Sequence, residues 1–157
     1  MKLIRSLAVC LLLAGCGVRP DGPTPGGDAP TGVSPGVTLY FVDNQERLQP
    51  DERKTGRLGS IAEALALLLT GFPRDAPDRH TEIARSPVTQ VTVTTEPELV
   101  QLVLPLDRKE VTQLGIDQIT CTALGVHLQG GGPRTAKVLL RFTHGGSPEP
   151  RTCPLIK

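Results

Sequence analysis

Apolar and polar residues alternate with two different periods along this chain. The run Val37-Thr38-Leu39-Tyr40-Phe41-Val42 is rich in β-branched and aromatic residues and ends at the turn signal Asp43-Asn44, which predicts a buried strand. Residues 44–57 are polar and charged, contain Pro50, and are expected to form a loop. Leu58, Ile61, Leu65, Leu68 and Leu69 then recur at helical spacing. Ser60 and Glu63 fit a capping box at the start of that helix. At its end Gly71 suits a left-handed C′ position, Phe72 follows as the apolar C″ residue, and Pro73 blocks continuation.

A charged stretch, 74–86, reads as a second loop. Val88 to Thr94 alternates, with Val91 and Val93 on one face, and Leu99 to Leu104 alternates again after the turn Thr95-Glu96-Pro97-Glu98. Together they predict an antiparallel hairpin. Asp107 is a candidate N-cap with Glu110 three residues on. The stretch Val111 to Leu124 is expected to be helical with an interruption at Gly115, and Ile116, Ile119 and Ala123 share a face. Residues 129–133 form a flexible turn. Lys137 to Thr143 is the last strand, with Val138, Leu140 and Phe142 facing one way, and Pro148, Pro150 and Pro154 argue against a central strand in the tail. The order β-α-β-β-α-β implies an α+β fold, a small sheet with two helices packed on one face.

The residues before Val37 follow neither period. Lys2 and Arg5 precede the apolar run Leu7–Ala14, which is too short for roughly 30 Å of hydrocarbon, a span that takes about 20 residues. Its length and flanks are those of a signal-peptide h-region. The run ends in Leu13-Ala14-Gly15-Cys16, which resembles a bacterial lipobox. The resemblance implies cleavage before Cys16 and a diacylglyceryl group on its thiol, so that residues 1–15 are a signal peptide, the mature chain is acylated in the manner of palmitate-bearing lipoproteins, and it is held at the extracytoplasmic face of the cell membrane. One acyl chain binds only marginally, whereas two anchor stably. An ordinary secretory signal or an uncleaved anchor, with Cys16 incidental, is the other reading of these residues.

Between residues 17 and 36, six Gly and five Pro leave too little bulk to offset the entropy of ordering. The segment 16–36 is therefore expected to be a lipidated Cys and a tether, reaching about 60 Å when extended at roughly 3.1 Å per residue, and 37–157 the domain it carries.

Composition narrows the chemistry. Removing Lys2 and Arg5 from the 17 basic residues leaves 15 against 16 acidic, a net charge of −1, which offers no basic footprint for nucleic acid. The few aromatics (Tyr40, Phe41, Phe72, Phe142) and the absence of Trp disfavour stacking platforms. Cys10 leaves with the signal and Cys16 takes the lipid. The remaining pair, Cys121 and Cys153, reads first as a disulfide in an oxidising compartment. Two free thiols, or a metal site with His127 and His144, are the alternatives, although zinc ligands usually come in tighter pairs.

No nucleophile elbow is present, and His80, His127 and His144 lack the spacing of a metal-binding helix. Gly130-Gly131-Gly132 lacks the Gly-Lys-Ser/Thr of a phosphate loop and reads as a turn. Asp75, Asp78 and Glu82 beside Arg74 and Arg79 read as a solvated face. Gln118 is a polar residue on a helix that must bury one side, and it either satisfies main-chain groups in the core or marks a binding surface. No catalytic residue, metal or cofactor is expected.

Several phrases, taken in order, resemble a GerMN domain, the module named after the spore-germination protein GerM. These are Leu39-Tyr40-Phe41-Val42, Ala64-Leu65 with Leu67-Leu68-Leu69-Thr70-Gly71-Phe72-Pro73, Gln118-Ile119-Thr120-Cys121-Thr122-Ala123-Leu124, and Val138 to Gly145. Phe72 departs from the family's usual Gly-Pro step. The resemblance spans roughly residues 37 to 146 and implies no catalytic residues. It is similar to single-unit lipoproteins of high-GC Gram-positive bacteria and to LpqB-type lipoproteins associated with a sensor kinase, whose large second domain is lacking here. It implies a non-catalytic interaction module at the envelope, linked to signalling or to sporulation- and germination-type processes, with an envelope protein or peptidoglycan as partner. Small-molecule or glycan sensing and an envelope hydrolase are the other readings.

Overall fold

The computed structural model describes residues 36–157 apart from 58, 72, 74 and 75. The segments expected to be a signal peptide and, up to residue 35, a lipidated Cys16 and tether, together with Leu58, Phe72, Arg74 and Asp75, therefore lie outside the described residues.

The architecture is α+β with two helices, but the strands divide between two small sheets. The first, β2-β1-β3, pairs β1 (Val37–Asp43) antiparallel with β2 (Leu48–Arg53) and with the two-residue β3 (Arg79–His80). The second, β4-β5-β6-β7, contains β4 (Thr92–Glu96), β5 (Leu99–Asp107), β6 (Lys137–His144) and β7 (Pro150–Arg151). β4 and β5 form the expected antiparallel hairpin, closed by a tighter turn at Pro97-Glu98. β5 and β6 are parallel, joined through a 3-10 turn at Arg108–Glu110 and the helix α2 (Gln113–Gln129). The six elements expected from the sequence occur in order, and β2, β3 and β7 are additional.

Each difference has a local cause. Residues 48–53 were expected to be a loop, yet they form an edge strand. An edge strand needs no apolar alternation, and Pro50, opposite Tyr40, has no ladder hydrogen bond to lose there. In the stretch 74–86, β3 and a bridge between Ile83 and Val111 supply order that charge composition hides. Asp107 and Glu110 do form a capping box, but around the 3-10 turn. The long helix has its own N-cap, Thr112, whose hydroxyl accepts from the Gly115 N–H at 3.1 Å.

Gly115 does not interrupt α2. It lies inside the helix because a Cβ there would stand 2.4 Å from the main-chain oxygen of Glu82, so only glycine allows this approach. The same reason, and not a left-handed turn, explains Gly71. Its φ is −92°, and a Cβ would meet the Leu67 carbonyl at 2.4 Å.

One continuous core joins both sheets and both helices. Val37, Leu39 and Phe41 enter it from β1, Val100, Leu102, Leu104 and Leu106 from β5, and Val138 and Leu140 from β6. The first helix, α1 (Ile61–Thr70), contributes Ile61, Ala64, Leu65, Leu68 and Leu69. α2 is buried nearly all round, including the polar Gln118, Thr120 and Thr122.

Two of those polar residues fasten α2 to β1. Gln118 Nε2 donates to the Tyr40 carbonyl (2.9 Å), and the Tyr40 N–H donates to Thr122 Oγ1 (3.2 Å). Gln118 Oε1 accepts from the Glu82 N–H at 2.8 Å. Gln118 thus takes the structural role of its two alternatives.

The tail is held by sulfur. Cys121 and Cys153 have their sulfurs 2.01 Å apart, a disulfide between α2 and the residues after β7. Closing so long a loop contributes about 3–4 kcal/mol on the chain-entropy model.

Two outcomes follow from this packing. Replacing Gln118→Leu keeps the side-chain volume but orphans the Glu82 N–H and the Tyr40 carbonyl. It is expected to lower unfolding stability by roughly 2–6 kcal/mol, at about 1–3 kcal/mol per stranded group, measured by urea titration. Alkylation without reductant, read by mass spectrometry, is expected to label neither Cys121 nor Cys153. Labelling of both shows that the bond is absent in the mature protein.

Candidate functional site

The outer face of α1 carries an open concavity. Core residues take up one side of this helix, and Glu63, Ala66, Leu67 and Thr70, spaced three and four apart, form the stripe beside it. With Val37 at the start of β1 and Thr55, Arg57 and Gly59 from the loop before the helix, the stripe lines a groove of about 380 Å³. Leu67 is 40% exposed within it, while Val37 is buried. A second hollow of about 230 Å³ lies past the end of the helix, between Leu68–Gly71 and Thr81, Ile83, Arg85 and Ser86.

The polar end of the groove is built by the helix start. Glu63 Oε2 accepts from the Ser60 N–H at 2.6 Å, and Ser60 Oγ accepts from the Glu63 N–H at 3.2 Å, which is the capping box read from the sequence. Arg57 donates to Glu63 Oε1 at 2.7 Å. The Ser60 main-chain bond, followed by the Arg57 guanidinium, holds the Glu63 carboxyl at about 2. Chemically the groove presents an apolar wall of Val37, Ala66 and Leu67, with hydroxyls of Thr55 and Thr70 and an opposed charge pair at its rim.

The other candidate residues are scattered. His80 Nε2 lies 2.9 Å from Glu82 Oε1 on an exposed surface. His127 lies near the end of α2, where Gly132 packs so tightly on its ring that a Cβ would come 2.2 Å from Nε2. His144 ends β6 opposite Asp107. The three glycines 130–132 close α2, with N–H groups donating to Val126, Leu128 and His127 carbonyls. In the stretch read as a solvated face, Arg79 instead reaches across to the Pro50 carbonyl at 2.8 Å. Among the described residues, no group of three or more His, Cys, Asp or Glu could hold a metal ion. Because their sulfurs are joined, Cys121 and Cys153 do not form a metal site with His127 and His144 in this structure.

Three further carboxyls are perturbed, and the Lys109 N–H lowers the one at Asp107. Burial pushes Asp43 up, but the Arg47 N–H, the Gln49 amide, the Gln45 N–H and the Arg47 guanidinium outweigh it and hold the group at about 2. This organises the turn after β1, where Glu46 has a φ of 57°. Burial raises Asp117 on α2, opposed by the charge of Arg151 in β7 and a hydrogen bond from Gln113.

The groove was not foreseen. The helical period of Leu58, Ile61, Leu65, Leu68 and Leu69 already leaves Leu67 off the core face, but only the docking of α1 beside Val37 and the loop before it makes a groove there. Among the described residues, no helix is long and apolar enough to cross a membrane. Compared with known proteins, the chain matches no family model, no curated protein and no solved structure.

Depressed carboxyls predict acid sensitivity. Asp43 and Glu63, each at about 2 when folded, have ordinary values of 3.8 and 4.5. A depressed folded value stabilises the protein fully above the unfolded value, and this contribution disappears as pH falls through the folded one. Stability is therefore expected to fall between about pH 5 and pH 2. The fall should become shallower in Glu63→Gln and Asp43→Asn, measured by thermal melting against pH; unchanged slopes in both variants contradict this assignment.

Proposed function

We propose that this chain is a lipid-anchored extracytoplasmic protein whose folded part is a non-catalytic interaction module at the cell envelope. The anchor is supported by Leu13-Ala14-Gly15-Cys16 behind a basic start and a short apolar run, and by the Gly/Pro-rich segment that follows. The proximity of the Cys121 and Cys153 sulfurs fits an oxidising compartment.

The observation that carries the binding reading is the groove beside α1. It keeps a leucine exposed on a helix whose neighbouring leucines are core. An apolar wall rimmed by hydroxyls and charges suits a side chain or short segment of an envelope protein. The resemblance to GerMN domains suggests the same class of role, in envelope signalling or in sporulation- and germination-type processes.

A second reading uses the same place. Thr55, Arg57, Glu63 and Thr70 supply hydrogen-bonding groups at the rim, which suits a small molecule or a cell-wall glycan. A hydrolase has less support, because the three histidines lie in separate parts of the fold.

Two variants test the proposal. Cys16→Ser is expected to lose the acyl mass and leave the membrane fraction; membrane retention without acyl mass overturns the anchor. Leu67→Glu, at an exposed position, is expected to keep the fold and lose the envelope partners captured by the wild-type chain. Capture of the same partners by both proteins removes the groove as the contact surface.

A further inference from the structure

Sheet edges expose unpaired main-chain groups, and natural edges usually carry charges, prolines or bulges that discourage pairing. Three of the edge elements described here fit that pattern. β2 contains Pro50, Asp51, Glu52 and Arg53, while β3 and β7 are two residues long, β7 with Pro150 and Arg151. β4 differs. It ends the second sheet, and from Val88 to Thr95 the chain reads Val-Thr-Gln-Val-Thr-Val-Thr-Thr, with no charge and no proline.

The edge is open. Glu96 and Leu99 flank the two-residue turn, so the alternation of an antiparallel ladder aims the main-chain groups of Val93 and Thr95 away from β5. Outside the ladder with β5, no main-chain hydrogen bond to residues 91–96 occurs among the described residues.

We propose that this edge pairs with the same edge of a second copy of the chain, forming an antiparallel β4–β4 contact about a two-fold axis at Val93. The choice of occupant follows from self-complementarity. The axis sets Val93 on the partner's Val93, Thr92 on the partner's Thr94, Val91 on the partner's Thr95, and the Gln90 amide against the carboxylate of the partner's Glu96. β-branched and threonine pairs of this kind stabilise sheets, and no like charges face each other. Charged peptides find no complementary group on the same run. The dimer joins the two four-stranded sheets into one of eight strands. Val103, opposite Thr92 on the open face and 46% exposed, adds apolar surface next to the contact.

Sedimentation velocity of the full chain in mild detergent tests this directly. The wild-type chain is expected to be dimeric, with the dimer fraction rising with concentration. Thr92 and Thr94 are both exposed and face away from the core, so T92K/T94K is expected to fold with an unchanged circular dichroism spectrum and to sediment as a monomer. T92K/T94E sets Lys against Glu twice across the axis and is expected to recover the dimer. A monomeric wild-type chain overturns the proposal, as does a T92K/T94K chain that stays dimeric. Failure of T92K/T94E to recover the dimer overturns the antiparallel register.

Discussion

Gln118 holds the junction on which the rest of the structure depends. Its side chain is fully buried, and its two polar atoms bond main-chain groups from separate parts of the chain, the Tyr40 carbonyl of β1 and the Glu82 N–H of the loop after β3. Thr122, one turn further along α2, accepts from the Tyr40 N–H. Both main-chain groups of Tyr40 are thus taken by a helix where a sheet would ordinarily supply a strand. β3 is only two residues long, so α2 does for the open side of β1 what a longer strand would do. A buried polar group without a partner costs far more than a satisfied one contributes, so these three bonds select one placement of α2 on β1 among many that would bury similar apolar area.

That placement constrains the surrounding structure. Gly115 brings the first turn of α2 against the Glu82 carbonyl, where any Cβ would collide, and the bridge between Ile83 and Val111 ties the same loop to the approach to the helix. From there α2 runs as the crossover between the parallel strands β5 and β6, so one helix serves both sheets. The disulfide adds the last piece of chain to the same helix through Cys121. With this much of the molecule resting on α2, α1 is left to pack by one face, and the groove lies along the side of α1 that the core does not use. Apart from Val37, the residues that line the proposed binding groove are not among the buried core residues.

The strands with strong alternation were legible because burial on one face imposes period two: β1, β5 and β6 all appear near their expected positions. α1 was legible from its leucine spacing and its capping box. The strands that were missed, β2, β3 and β7, are edges or two-residue pairings whose residues meet solvent on most sides, so no apolar pattern marks them. α2 was read as interrupted because a helix buried nearly all round has no polar face, and its Gly115 serves close packing, which a local reading takes for a break.

The sequence by itself determined the patterned strands and helices and the α+β class, and it sets the pairing of the cysteines and an anchor at Cys16 as expectations. Each depends on neighbours in the chain or on residue type. Tertiary structure decided the division into two sheets, the parallel pairing of β5 with β6, the structural use of Gln118, and the groove beside α1. These depend on contacts between residues 30 to 80 positions apart, such as the 78 between Tyr40 and Gln118, and the period of a hydrophobic pattern carries no information about which partner fills the other side.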